Sequence, residues 1–348
     1  MKIKTFFLIS VLLVFLLSGC QGNISTGRTD ATFSVVTTIF APFDFARALG
    51  SEDWNIKMLI PPGSESHSFE PTPQDIIAIN NSDIFIYAGG ESDTWVTELL
   101  KSMDNPELIR INMVDVVGEL ALEEPHDDAH HDDYPYDEDL HDDDHHDDDF
   151  HGDDHHVHEH DDEDHLNHSH HGFDEHVWTS PVNVKLISKA ITAAMVQVDP
   201  ANDWMYQNNL DGFLDELNQL DSAFRQVIAN SPGNTLVFAD RFPFRYFVHE
   251  YGLNYKAAFD GCTVDTNPSA ATVAMLIREV RDKGIPVVLT VELSNQQIAQ
   301  VIREETGAEI MEFHSAHNIS AYDFHNGITY LEIMNNNVKV LEAALGER

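Results

Sequence analysis

Short apolar runs alternate with amphipathic stretches through most of the chain. Helix-like stretches lie at 41–49, 73–80 and 93–103 in the first half, and at 242–251, 269–284, 295–306 and 322–345 in the second. The strand-like runs between them lie at 32–39, 54–60, 83–89, 108–112, 234–240, 253–259, 286–292 and 308–313. Strands separated by helices at this spacing predict parallel sheets covered on both faces. Because the alternation occurs twice, we predict an α/β protein of two lobes, each a parallel four-stranded sheet flanked by helices, facing each other across a cleft.

The middle of the chain is helical by the same criterion. Apolar residues recur at helical spacing over 183–198 and over 200–228, where Asp199-Pro200 is a natural start signal. We therefore expect a first lobe at 32–182, a helical connection at 183–232 and a second lobe at 233–348. The longer helix should bury one face, formed by Trp204, Leu210, Phe213, Leu214, Leu217, Leu220 and Phe224.

The first 31 residues have the pattern of an export signal followed by a tether. Lys2 and Lys4 precede an apolar run at 6–17, which is short for a permanent span. The ending Leu17-Ser18-Gly19-Cys20 resembles the bacterial lipobox, which implies cleavage after residue 19 and a lipid on Cys20. Residues 21–31 are then a polar tether. We expect a protein anchored outside the cytoplasmic membrane; an uncleaved anchor with an incidental cysteine is the alternative.

The stretch 126–171 is composed almost wholly of histidine and acid. It holds fifteen of the 21 histidines and 20 of the 60 acids, and it has no lysine or arginine. Such a composition cannot build a core and predicts a disordered loop. Imidazole and carboxylate are ligands for divalent cations, zinc above all, whereas a merely soluble acidic tether would not need the imidazoles.

The charge balance limits the partners. Removing the 20 acids of this run from the net charge of −41 still leaves −21. This argues against nucleic acid and anionic lipid surfaces, and for cations.

The histidines outside the run differ in their surroundings. His67 lies after the second predicted strand, among prolines and glycine, at the sheet edge where ligands collect. His176 precedes Val and Trp, so it should be buried, as a metal ligand or as a hydrogen-bonded core residue. His249 and His325 lie in predicted helices without ligand spacing, and we expect them at the surface.

Six segments, in order, resemble one family. PPGSESHSFEPTPQD (61–75), YAGGESDTWV (87–96), DEHVWTSPVN (174–183), DRFPFRYFVHEYGL (240–253), AAFDGC (257–262) and FHSAHNIS (313–320) are similar to the metal-binding lipoproteins of bacterial ABC importers, the zinc/manganese family of substrate-binding proteins. The resemblance covers about 32–346, and the acidic His-rich loop is similar to that of the zinc-specific branch. It implies a long helix bridging two lobes, a metal cleft between them, a membrane permease as partner, and a monomer without catalytic residues.

The family's metal site carries over by motif. The resemblance implies His67 and His176 from the first lobe, and one residue after the first and one after the last strand of the second lobe. For the first of these the candidates are Asp240 and Arg241; arginine stays protonated, so we assign Asp240. An ion pair of Asp240 with Arg241 or Arg245 is the alternative. For the last we assign His314, with His317 as the alternative. Glu292 is a possible supporting residue, or simply a solvated acid.

Three imidazoles and one carboxylate suit Zn²⁺, whereas Mn²⁺, the alternative, favours more oxygen ligands. We therefore expect a receptor that captures zinc and delivers it to a permease. The His-rich run would act as an accessory low-affinity store, through His126, His130, His131, His141, His145, His146, His151, His155, His156, His158 and His160.

Two other classes of function remain. A zinc hydrolase is disfavoured because the chain has no His-Glu-x-x-His motif: His158-Glu159 is followed by His160-Asp161-Asp162. A cell-surface metal buffer or adhesin that works mainly through 126–171 is the second alternative. Cys262 is better explained as a small packed residue than as a nucleophile.

Overall fold

The computed structural model describes residues 33–64, 69–123, 172–259 and 268–346. His67, the export signal with Cys20, the His-rich run and Cys262 lie outside these residues.

The first lobe contains a parallel sheet of order β2-β1-β3-β4. Its strands are β1 (Phe33–Thr37), β2 (Trp54–Met58), β3 (Ile84–Tyr87) and β4 (Ile109–Asn112). Its helices are α1 (Phe40–Leu49), α2 (Pro73–Asn80), α3 (Thr94–Ser102) and α4 (Met113–Val117). The carboxyl ends of the strands meet at one edge, as the sequence predicted for a ligand site.

The second lobe repeats this arrangement with the order β6-β5-β7-β8, again parallel. The strands are β5 (Thr235–Phe238), β6 (Asn254–Ala257), β7 (Val287–Thr290) and β8 (Glu309–Glu312). Helices α7 (Arg245–Tyr251), α8 (Ala270–Lys283) and α9 (Gln297–Thr306) cover it, followed by α10 (Ala321–Asn326) and α11 (Tyr330–Leu345).

Two long helices connect the sheets, α5 (Pro181–Val198) and the 28-residue α6 (Asp203–Asn230). A helix of this length spans about 42 Å at 1.5 Å per residue. Near its start, Asn209 Nδ2 donates to the first-lobe carbonyls of Leu49 and Gly50. Near its end, Asp221 accepts from Tyr251 Oη in the second lobe at 3.0 Å. The helix therefore bridges both lobes, as expected.

Three details differ from the sequence-based expectations. The last predicted helix is broken by Gly327, which has a φ of 73°, and a new helix begins at Tyr330. Thr329 caps the new helix, because its hydroxyl accepts from the Glu332 amide. Trp204 is 72 % exposed, because Tyr206 takes the buried position of that turn. Helix α4 was not predicted from the sequence, because its five residues are too few to show a helical pattern of apolar positions. The Asn112 side chain caps its start.

An aromatic cluster supports the site-bearing end of β8. Phe313 follows β8 directly and is fully buried. Its ring lies 4.9 Å from that of Phe244, 5.3 Å from that of Phe247 and 6.1 Å from that of Phe238. Burying large side chains of this kind contributes about 1.5–3 kcal/mol each. The packing therefore fixes where the segment 314–317 leaves the sheet.

Candidate metal centre between the lobes

His176 is buried and held by its own loop. It is 3 % exposed, and Asp174 Oδ1 accepts from its backbone amide at 2.8 Å and lies 3.0 Å from its Nδ1. A carboxylate beside Nδ1 keeps the proton on that nitrogen, which leaves the lone pair on Nε2. The ring is thus oriented as metal-binding imidazoles commonly are, and the predicted burial of His176 is confirmed.

The second lobe presents His317 from a tight loop after β8. Glu292 accepts from the amide of Ser315 at 2.8 Å, from its hydroxyl at 2.5 Å and from the amide of His317 at 3.2 Å. Ala316 has a φ of +59°, a conformation rare for a residue other than glycine. Such conformations persist only where the surroundings enforce them, and here Glu292 binds the residues on either side of Ala316.

Two histidines from different lobes and one carboxylate converge. Among the described residues, ligand atoms of Glu175, His176 and His317 lie within 4.8 Å of one another, and all three residues are buried. The His176 and His317 rings are 5.4 Å apart at 77°, and Trp178 packs within 5.3 Å of both. Nitrogen and oxygen ligand atoms at this spacing suit a four-coordinate divalent cation.

His314 and Asp240 stand apart from this group. His314 Nδ1 accepts from the Ala316 amide at 2.9 Å, so this nitrogen is engaged within its own loop, and His314 does not belong to the group of Glu175, His176 and His317. Asp240 Oδ1 accepts from the Arg241 amide at 2.9 Å, whereas its buried Oδ2 has no hydrogen-bond partner among the described residues. The geometry favours His317, the alternative, over His314.

Direct hydrogen bonds join the two lobes around the group. Trp178 Nε1 donates to the carbonyl of Ser315 at 2.8 Å. The amide of Phe40 donates to the carbonyl of His317 at 3.0 Å. On the other side, Tyr246 Oη donates to the carbonyl of Asp174 at 2.8 Å. The backbone segments that carry His176 and His317 are therefore each held by the opposite lobe.

Asn318 links the second lobe to the loop that leads to His67. Its side-chain amide donates to the carbonyls of Pro61 at 2.9 Å and Ser64 at 2.8 Å. The amide of Gly63 donates to the carbonyl of Ile319 at 2.7 Å. His67 itself lies outside the described residues, so its position stays a prediction, but the chain just before it reaches the His317 loop.

Glu175 also affects a neighbouring acid. Burial, followed by the charge of Glu175, raises the pKa of Asp93 to about 7. Asp93 accepts from the amides of Ala88 at 2.7 Å and Gly89 at 3.2 Å. The first-lobe side of the site is thus rich in carboxylates.

Sequence reasoning missed Glu175 and Asp174. Their only signal is adjacency to His176 in the segment DEHVW, where a buried histidine calls for a partner. Both side chains are buried, which acids tolerate only when they are paired, hydrogen-bonded or metal-bound.

No helix in the described ranges is long and apolar enough to cross a membrane.

Two parallel α/β lobes, a long connecting helix and a buried ligand group between the lobes define a two-lobed solute-binding protein. Residues 35–344 match the family model of ZnuA, the periplasmic component A of the zinc-uptake complex, and the chain belongs to this family.

Similar proteins agree with this assignment. The chain is 29 % identical over 335 residues to the high-affinity zinc uptake system protein ZnuA of Bacillus subtilis (strain 168), covering 95 % of this chain and 94 % of that protein. It is 25 % identical over 319 residues to the zinc-binding lipoprotein AdcA of Streptococcus pneumoniae (strain ATCC BAA-255 / R6), spanning 90 % of this chain but only 56 % of that protein. The crystal structure of the Zn(II)-bound ZnuA-like domain of S. pneumoniae AdcA superposes with a TM-score of 0.67 at 22 % identity, covering 90 % of this chain and 99 % of that one, and shows the same fold.

Proposed function

We propose that the protein is the extracytoplasmic zinc receptor of an ABC importer, a transport component rather than an enzyme. The observation that carries this proposal is the meeting of His176 and His317, buried imidazoles from opposite lobes, beside a carboxylate. Family membership and the zinc-uptake role named for the B. subtilis relative support it.

Zinc is bound where the lobes meet. His176 contributes from the first lobe and His317 from the second. We propose His67 as a third ligand, since Ser64, three residues before it in the chain, accepts a hydrogen bond from Asn318. Three imidazoles favour zinc over manganese. With Zn–N distances of about 2.0–2.1 Å, the ion draws both lobes together, and the permease recognises this closed state.

The remaining parts of the chain serve capture and delivery. Cys20 carries the lipid that holds the protein, as a monomer, at the outer face of the membrane beside its permease. The run 126–171 holds further ions weakly near the cleft and raises their local concentration. Protonation of imidazoles near their ordinary pKa of about 6.5 weakens capture as the pH falls.

Competitive zinc and manganese titration tests the proposal. The protein beginning at Gln21 and lacking 126–171 should bind one zinc tightly and prefer it to manganese. His176→Ala or His317→Ala should weaken that site by ~100-fold or more, beyond the roughly 10–100-fold expected for loss of an outer-shell partner. His249→Ala, at an exposed histidine, is the matched control and should change nothing.

Other outcomes would redirect the account. A preference for manganese would overturn the assignment of zinc as the metal but keep the transport role. If the shortened protein has no tight site whereas the full chain binds zinc, the run is the working part, and the protein is a surface zinc buffer or adhesin.

A further inference from the structure

Glu175 is the carboxylate that meets both histidines, and this placement has a consequence for the ligand set. We propose that Glu175 is a direct zinc ligand supplied by the first lobe, in the role that sequence reasoning gave to Asp240. This inference rests on the proposed function, since it names one ligand of that same site.

The Glu175 side chain is held in a fixed position. Ser92 donates to it twice, from its amide to Oε2 at 2.9 Å and from its hydroxyl to Oε1 at 2.6 Å. Each carboxylate oxygen has two lone pairs, so a carboxylate oxygen can accept a hydrogen bond and bind a cation at the same time. Supporting hydrogen bonds of this kind orient metal-ligating carboxylates.

The loop after β3 provides the space for this carboxylate. A Cβ on Gly90 would lie 2.4 Å from Glu175 Cβ and 2.7 Å from its Oε2, which is closer than real atoms approach. Gly89 has a φ of +93° and packs its Cα against Asn112, so a side chain there would also collide. The Gly89-Gly90 pair therefore lets the buried carboxylate reach the histidines.

Asp240 has different surroundings. It follows β5 in the second lobe, it accepts the amide of Arg241, and it lies outside the group formed by Glu175, His176 and His317. Glu175 therefore meets the two histidines, whereas Asp240 does not belong to their group.

The lobes then contribute unequally. Among the described residues, His176 and Glu175 belong to the first lobe and His317 to the second. Opening the cleft detaches His317 and leaves His176 and Glu175, so the ion remains on the first lobe until it is handed on. Loss of His317 should accordingly leave more residual zinc affinity than loss of His176.

Isosteric variants of the full chain test the assignment. Glu175→Gln removes the charge while keeping the shape, and Asp240→Asn is the matched change at the other acid. Zinc affinity is measured by competition with a chromophoric chelator, and the visible absorption of the cobalt(II)-loaded protein reports on the ligands. The run 126–171 is present in every variant, so differences between variants come from the folded site.

Glu175→Gln should weaken zinc binding by ~100-fold or more, beyond the roughly 10–100-fold cost of losing an outer-shell partner, and should alter the cobalt(II) spectrum. Asp240→Asn should leave both unchanged. Ser92→Ala removes one donor to Glu175 and should weaken binding several-fold; it keeps the test decisive if Glu175→Gln does not fold. Wild-type affinity in Glu175→Gln, or in Ser92→Ala where the former is unfolded, overturns this inference alone. Absence of a tight zinc site in the unmodified chain overturns the proposed function instead.

Discussion

The orientation of His176 by Asp174 gives a quantitative prediction. Asp174 Oδ1 is the acceptor for both the backbone amide and Nδ1 of His176, at 2.8 and 3.0 Å. Asp174→Asn keeps the shape and an acceptor oxygen but removes the negative charge. Asp174→Ala removes the acceptor altogether.

The expected losses follow from the strength of these bonds. A hydrogen bond to a charged group contributes about 1.5–3 kcal/mol and a neutral one about 0.5–1.5 kcal/mol. In Asp174→Asn a neutral hydrogen bond replaces the charged one at Nδ1 of His176, which costs roughly 1–1.5 kcal/mol. This corresponds to a zinc complex that is about fivefold to tenfold weaker. Loss of the acceptor frees the ring and should cost about 10–100-fold.

Isothermal titration with a competing chelator measures these affinities, and unfolding of the zinc-free protein shows whether each variant is intact. Asp199→Asn is the control: Asp199 is also a buried carboxylate that accepts two hydrogen bonds, from Tyr206 Oη at 2.8 Å and Asn202 Nδ2 at 2.7 Å. It should lower stability without changing zinc affinity. Wild-type affinity in a folded Asp174→Ala variant would refute the argument that this acid orients a ligand.

Three further predictions concern the lobes and the stability of the zinc-free protein. Asn318→Ala removes two hydrogen bonds to the first-lobe loop and should speed zinc dissociation in stopped-flow chelation; an unchanged rate would contradict the link. Tyr206→Phe removes the acceptor of a buried hydrogen bond from Trp54 and should lower the free energy of unfolding by about 1–3 kcal/mol. Zinc affinity should stay unchanged, and a weaker affinity would show that this part of the core is coupled to the metal site. Burial raises the pKa of the Asp93 carboxyl to about 7, so the folded protein binds the carboxyl proton more tightly than the unfolded chain does. The stability that this proton contributes therefore falls as the pH rises from about 4 to 7. In urea unfolding at several pH values, Asp93→Asn should reduce the dependence of the unfolding free energy on pH. Equal pH dependence in the variant and the unmodified protein would refute the assignment to Asp93.

The sequence predicted the fold well because strong apolar runs define each strand. All eight predicted strands and the parallel two-lobed arrangement are confirmed. The errors arise where a local feature overrides periodicity: Gly327 ends a helix inside a continuous amphipathic pattern, and Trp204 faces solvent because Tyr206 fills the buried position.

The site was harder to predict because it depends on contacts between distant residues. The burial of His176 followed from its apolar neighbours. The choice between His314 and His317 depends on the left-handed Ala316 and on Glu292, which no residue pattern in that segment reveals. Glu175 reaches the site through Ser92 and Gly90, which lie more than 80 residues earlier in the chain.

The central claim is that zinc lies between the lobes, bound by His176 and His317. Diffraction from zinc-loaded crystals, recorded on both sides of the zinc absorption edge, tests it most directly. We predict an anomalous peak about 2.0–2.1 Å from Nε2 of His176 and from a ring nitrogen of His317. A peak bound by His314 and Asp240 instead, or zinc found on the His-rich run with none between the lobes, would contradict the account.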